Sequence, residues 1–126
     1  MDPLIHGDLT DRILRCAVAV HRELGPGLPE FSYQTSLALE MAAQGLAYVR
    51  ELPIVVRYRE VVVGWHRPDF VVENAVVVEL KSVGHVDPVF ARQVLTYLKV
   101  TRLRVGLLIN FNVASMANEG IRRFVL

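Results

Sequence analysis

The stretch HRPDFVVENAVVVELKSV, from His66 to Val83, decides the fold. Glu73 and Asn74 interrupt two extended runs, and residues of this kind make tight turns between strands. If the chain reverses there, partners across the hairpin have numbers that sum to about 148, so Asp69 lies opposite Glu79. Directly paired residues project from one face of a sheet. Glu79 and Lys81, two apart on one strand, share that face. Two carboxylates and an ammonium are thereby gathered at one end of a hairpin. Burying two acids without a partner costs roughly several kcal/mol. A divalent cation relieves that cost, and carboxylate oxygens suit Mg²⁺ or Mn²⁺. An isolated E-x-K triplet is most often an exposed ion pair at a strand end. The preceding Pro68-Asp69, the hairpin spacing and the apolar flanks argue against that plain reading here.

Upstream, Asp8 or Thr10 can cap a first helix whose apolar residues, Ile13, Cys16, Ala17, Val20 and Leu24, form one buried stripe. Gly25, Pro26 and Gly27 end it. A second helix is predicted from Pro29 to Gln44 and is stopped by Gly45. Tyr33, Leu37 and Met41 share one face, with Glu30 one turn earlier on that face. Leu52–Tyr58 alternates as a strand with one wetter face. Val61–His66 and Asp69–Val72 read as a second extended stretch broken by Pro68, and Ala75–Lys81 as a third strand whose apolar run implies burial on both faces. Asp87-Pro88 opens a helix to about Val100. Val105–Phe111 is another buried strand, and the tail from Val113 to Leu126 reads as a short helix and a final strand at Arg123–Leu126. The order α-α-β-β-β-α-β plus tail predicts an α/β or α+β fold, a mixed central β-sheet flanked by helices.

At 126 residues the chain is the size of one domain, residues 1–126, and folding would bury about two-thirds of its surface. Hydrophobic residues at 52% against 21% charged exclude a disordered tract, and no apolar run approaches the roughly 20 residues of a membrane helix. The acidic, polar opening MDPLIHGDLTD predicts no secretory signal. A lone cysteine, Cys16, fits a reducing cytosol. Fourteen basic and thirteen acidic residues leave +1, which excludes a strongly basic coat but not a local basic stripe.

Pro68-Asp69, nine residues, then Glu79-Leu80-Lys81 resembles the signature of the PD-(D/E)XK nuclease superfamily. Gly27-Leu28-Pro29-Glu30-Phe31-Ser32-Tyr33 spells the G-x-x-E-x-x-Y motif of the GxxExxY protein family, a branch of that superfamily. HRELGPGLPE, QVLTYLKVT and VGLLINFN are similar to that family's other blocks, so the resemblance covers about Ile13 to Leu126. It implies a restriction-endonuclease-like core and Mg²⁺- or Mn²⁺-dependent hydrolysis of nucleic-acid phosphodiesters, with DNA ahead of RNA. By the same resemblance Asp69, Glu79, the Leu80 carbonyl and Glu30 bind the metal, and Lys81 orients water or stabilises charge on the phosphate. Gln93 and Tyr97, on the helix after the E-x-K strand, would line the site. These types suit the chemistry: a divalent cation makes hydroxide available near neutrality, and lysine supplies a mobile charge for phosphate.

Other residues are weaker candidates. His85 beside a helix cap reads as structural, and His21 as part of a solvated helix face. His66 could approach a substrate, Cys16 reads as core, and Tyr33 either packs or hydrogen-bonds near the site. Gly25 and Gly27 make no phosphate loop. Arg57, Arg59, Arg67, Lys99, Arg102 and Arg104 could follow a nucleic-acid backbone or be scattered solvated charges; Arg57, Arg67 and Lys99 are the expected substrate contacts. A C2 homodimer would widen the footprint and allow a cut on each strand. Two function classes follow: a metal-dependent nuclease in the cytoplasm, or a catalytically silent binding or assembly module on the same fold.

Overall fold

The computed structural model describes residues 4–126, so the Met1–Pro3 part of the acidic opening lies outside the described residues. Helix α1 (Gly7–Leu24) starts before the expected caps. His6 holds the cap position in a left-handed conformation, Asp8 lies in the first turn, and Thr10 Oγ1 donates to the Gly7 carbonyl at 3.0 Å. Ile13, Cys16, Ala17 and Val20 are buried as the spacing predicts. Leu24, expected on the same stripe, is exposed at the last position, where the chain turns away through Gly25 at φ 68°. His21 is half-buried and not on a solvated face; its Nε2 lies 2.9 Å from the Val113 carbonyl. Helix α2 (Glu30–Ala43) is one residue shorter at each end than expected. Its buried Tyr33 stacks on Phe111 at 4.4 Å, donates to the Gly25 carbonyl at 2.6 Å and accepts from the Leu28 amide at 3.1 Å. That tyrosine fastens the turn between the two helices to the core.

Seven strands follow: β1 (Tyr48–Arg50), β2 (Ile54–Tyr58), β3 (Val61–His66), β4 (Phe70–Val72), β5 (Val76–Lys81), β6 (Val105–Asn110) and β7 (Ile121–Val125). Five form one mixed sheet in the order β1-β4-β5-β6-β7, with β5 and β6 parallel and the other pairs antiparallel. This is the expected α+β arrangement of a mixed sheet flanked by helices. The hairpin register is also as expected, Phe70 opposite Val78 and Val72 opposite Val76. Glu73 and Asn74 both take left-handed φ, and the Ala75 amide closes on the Val72 carbonyl at 3.0 Å, the geometry of a tight two-residue hairpin turn.

Three expectations are corrected. The short edge strand β1 was not legible, because three residues carry no periodicity. The extended stretch up to Val72 is not one broken strand: β2 and β3 pair only with each other in a separate two-stranded ribbon, and β4 enters the main sheet after Pro68. Without a backbone N–H, Pro68 cannot continue a ladder. The tail's helix is a π-helical turn (Met116–Gly120), and the last strand begins two residues earlier than expected because Ile121 pairs with Ile109.

The sheet separates two apolar clusters. Val76, Val78, Leu80, Val105, Leu107 and Ile109 face α1 and α2, while Val71 and Val77 face Ile54, Tyr97 and Leu98. Tyr97 and Leu98 belong to helix α3 (Pro88–Thr101), whose cap Asp87 accepts from the Val89 amide at 2.9 Å, as its sequence predicts. Among the described residues no helix is long and apolar enough to cross a membrane. Helix α3 approaches β6 closely at Gly106, where a Cβ would lie 2.6 Å from Val94 Cγ1. Valine has one strongly preferred rotamer on a helix and cannot swing clear. Gly106→Ala is therefore expected to lose about 1–3 kcal/mol in urea unfolding. Gly84→Ala, whose Cβ would meet nothing within 4 Å, is expected to unfold like the parent.

Candidate active site

Asp69 is the residue just before β4, at the edge of the hydrogen-bonded ladder, and Glu79 is the fourth residue of β5. The Asp69 amide donates to Glu79 Oε1 at 3.0 Å, so the two residues are locked face to face across the hairpin. Asp69 Oδ2 accepts from the Leu80 amide at 2.7 Å, and Oδ1 accepts from Gln34 Nε2 at 2.7 Å. Standing where the strand begins, its carboxylate is reached from both layers of the fold, by α2 on one side and β5 on the other.

Glu79 is 6% exposed. Its carboxyl pKa is pushed up to about 8, first by burial, then by the Asp69 charge and the hydrogen bond between the two carboxyl groups. The Asp69 amide and the Lys81 ammonium act in the opposite direction and do not cancel these. Tyr97, buried on α3, belongs to the same electrostatic neighbourhood: burial, then the charges of Glu79 and Asp69, hold its phenol well above the usual range. Lys81 is half-buried, with Nζ 4.3 Å from the centroid of the Phe90 ring, a cation–π contact that keeps the ammonium beside the acids without an ion pair. Beyond it, buried Asn110 accepts from the Val83 amide at 3.1 Å and donates to its carbonyl at 3.0 Å, holding the loop that leaves β5.

The structure thus gathers Asp69, Glu79, Lys81 and Tyr97. Glu30, expected in the metal shell, is exposed in the first turn of α2 and is not part of this group. Among the described residues no three histidine, cysteine, aspartate or glutamate side chains are gathered to hold an ion. One helical turn onward, Gln34 makes the contact that Glu30 does not. Gln93 is half-buried one turn before Tyr97, Arg67 is exposed between β3 and Asp69, and Lys99 is exposed at the far end of α3. Arg57 lies on the ribbon and donates to the Glu60 carbonyl at 3.2 Å. His66 is exposed, with its ring 5.9 Å from that of Tyr97, and His85 is exposed and apart. Cys16 is buried, and burial raises its thiol pKa.

Sequence reasoning missed Gln34 and Arg50. Arg50 Nε donates to Gln34 Oε1 at 2.9 Å, and its other nitrogen donates to Thr35 Oγ1 at 2.7 Å. Arginine only donates, so the glutamine amide must turn its oxygen to Arg50 and its N–H to Asp69. A buried glutamine one turn after Glu30 was the available signal for the first residue. Nothing local signalled Arg50, because its place depends on β1 pairing with β4.

A pair of abutting carboxylates, one buried, fits a hard divalent cation: Mg²⁺ is usually held by one or two carboxylates and keeps several waters. Without metal, the raised Glu79 pKa carries a sign. The folded state keeps a proton that the unfolded state releases, so stability falls as pH rises from the unfolded value near 4.5 to about 8. Metal-free protein is expected to lose on the order of a few kcal/mol across that window. Glu79→Gln is expected to flatten the slope, as read by chemical unfolding in chelator at several pH values.

A family model described as the PD-(D/E)XK nuclease superfamily matches residues 7–124. Searches of curated proteins and of solved structures returned no match.

Proposed function

The chain belongs to the PD-(D/E)XK nuclease superfamily, and we propose that residues 1–126 form one nuclease domain of its GxxExxY branch, hydrolysing DNA phosphodiesters with Mg²⁺ or Mn²⁺ in the cytoplasm. The branch rests on Gly27, Glu30 and Tyr33 in the G-x-x-E-x-x-Y spacing. The activity rests on one observation above all: a carboxylate pair, half-buried Asp69 and buried Glu79, lies beside a lysine in ion-pair contact with no acid among the described residues. Such a pair is costly unless a cation occupies it.

In this reading Asp69 and Glu79 are the metal ligands and the Leu80 carbonyl adds a third protein oxygen. Gln34 fixes the Asp69 carboxylate through its 2.7 Å hydrogen bond. A bound divalent cation lowers the pKa of water and neutralises charge on phosphate oxygens. Lys81 leaves the Phe90 face to place its ammonium on the phosphate or the attacking water, where a point charge stabilises the charge that develops. Gln93 and Tyr97 line the site, and Arg67, with Arg57 and Lys99 farther out, meets the backbone. Glu30, exposed one turn before Gln34, would have to reach the pair from the first turn of α2 to join the metal shell. A C2 pair of chains would place one site on each strand of a duplex.

One observation favours the second reading, a nuclease-fold module that binds without cutting: among the described residues no third acid or histidine joins the pair. Cleavage decides between them. Purified protein is expected to nick or cut DNA in Mg²⁺ or Mn²⁺ and not in chelator, and millimolar Mn²⁺ to raise the melting temperature by mass action. Lys81→Ala should keep the thermal response to Mn²⁺ while losing about 10²–10³ in rate. Asp69→Ala should lose both. A wild type that melts identically with and without Mn²⁺ and cuts neither DNA nor RNA would establish the binding module.

A further inference from the structure

The β2–β3 ribbon is the part of the fold that the core does not explain. Only its base is anchored, by buried Ile54 against Val71, Val77, Tyr97 and Leu98. Beyond that base Tyr58, Val61, Val62, Val63 and Trp65 are all exposed, Trp65 at 64%. Val55 and Trp65 pair directly and share one face, while Ile54 and His66 share the other, which packs toward α3. Two paired strands are marginally stable alone, so an open aromatic and aliphatic face here needs a reason.

Charge narrows the occupant. Residues 54–67 carry Arg57, Arg59 and Arg67 against Glu60 alone, a net +2, although the chain as a whole is +1. The ribbon is therefore locally basic, as is the stretch 88–118, where Arg92, Lys99, Arg102 and Arg104 meet no acid. A second copy laid against it would bring like charges together; an anion would not. Arg59 lies 5.1 Å from the Tyr58 ring at the tip, and Arg67 follows directly after Trp65 and His66. Aromatic faces interleaved with arginines are what an unpaired strand needs, bases stacking on rings and phosphates meeting guanidinium groups. In a duplex the base faces are already stacked on one another and could not use the tryptophan.

Position ties this face to the acidic pair. Asp69 is four positions after Trp65, so their Cα atoms lie within about 14 Å at full extension. At about 3.4 Å per stacked nucleotide that is roughly four nucleotides. His66, at the end of β3, lies with its ring 5.9 Å from that of Tyr97 on α3.

We propose that Trp65 is a base-stacking platform and that the substrate presents unpaired nucleotides, an end, flap or single strand of DNA, to the ribbon next to the Asp69–Glu79 site. This rests on the nuclease reading but is tested without catalysis. The chain has one tryptophan, so its emission reports this position alone. In chelator and low salt, a short mixed-sequence oligodeoxynucleotide is expected to quench the emission and to bind at least about tenfold tighter single-stranded than as a blunt duplex. By anisotropy of a labelled strand, Trp65→Ala should weaken binding about 5- to 100-fold and Trp65→Phe should keep much of it. Arg67→Ala should instead reduce the salt dependence. Unchanged emission while the strand binds, a preference for duplex, or emission that shifts with protein concentration in the absence of DNA would overturn the platform; the last would assign the face to a second copy. Metal-dependent cutting of duplex that is lost in Asp69→Ala, alongside any of these results, would leave the nuclease reading standing while the platform falls.

Discussion

A two-residue turn governs what meets in this protein. Glu73 and Asn74 both adopt left-handed backbone, and their turn sets the register in which Phe70–Val72 runs back along Val76–Val78. Side chains alternate along a strand, so a slip of one residue would send Glu79 and Lys81 to the face occupied by Val78 and Leu80. Two charged groups would then lie in the larger apolar cluster beneath α1 and α2. The turn is itself braced from the residue that precedes β1, since the Glu73 amide donates to the Ala47 carbonyl at 2.8 Å and its carboxylate accepts from the Ala47 amide.

From that register follows an arrangement that works against stability. Glu79 is buried against another acid, on a strand whose other buried residues are three valines and a leucine. The fold answers with donors: the Leu80 amide and Gln34 on Asp69, and the Asp69 amide on Glu79. Arg50 lies one step behind, fixing the glutamine and resting over the Phe31 ring at 5.4 Å. These contacts orient the carboxylates but do not neutralise them, which is why the Glu79 proton is held to about pH 8. A site with unbalanced charge in a well-packed scaffold is what preorganised chemistry requires.

The two sheets divide the labour of the chain. In the five-stranded sheet β6 is buried along its whole length, and Gly106 lets α3 sit close enough to seal one side. The β2–β3 ribbon has no buried residue beyond Ile54 and carries a net charge of +2 over residues 54–67. Pro68 is the boundary between them. It ends one ladder at His66 and allows a new one to begin at Phe70, leaving Asp69 on the rim where both layers reach it.

The sequence by itself determined whatever depends on residues close along the chain. The hairpin register, the shared face of Glu79 and Lys81, the Asp87-Pro88 helix start and the buried faces of α1 and α2 are consequences of period-2 and period-3.6 geometry, and those periods are written locally. Tertiary structure alone decided the rest. Gln34 and Asp69 are 35 residues apart, and Arg50 and Gln34 are 16 apart, so their contacts exist only once α2 packs on the sheet and β1 pairs with β4. The same packing left Glu30 exposed though it shares a helix with Gln34, moved His21 onto the Val113 carbonyl, and separated β2 and β3 from the sheet their pattern resembled. Periodicity states which side of an element is apolar; which partner that side meets, and how far a polar group on its margin reaches, is fixed by the distances between elements, which no local pattern encodes.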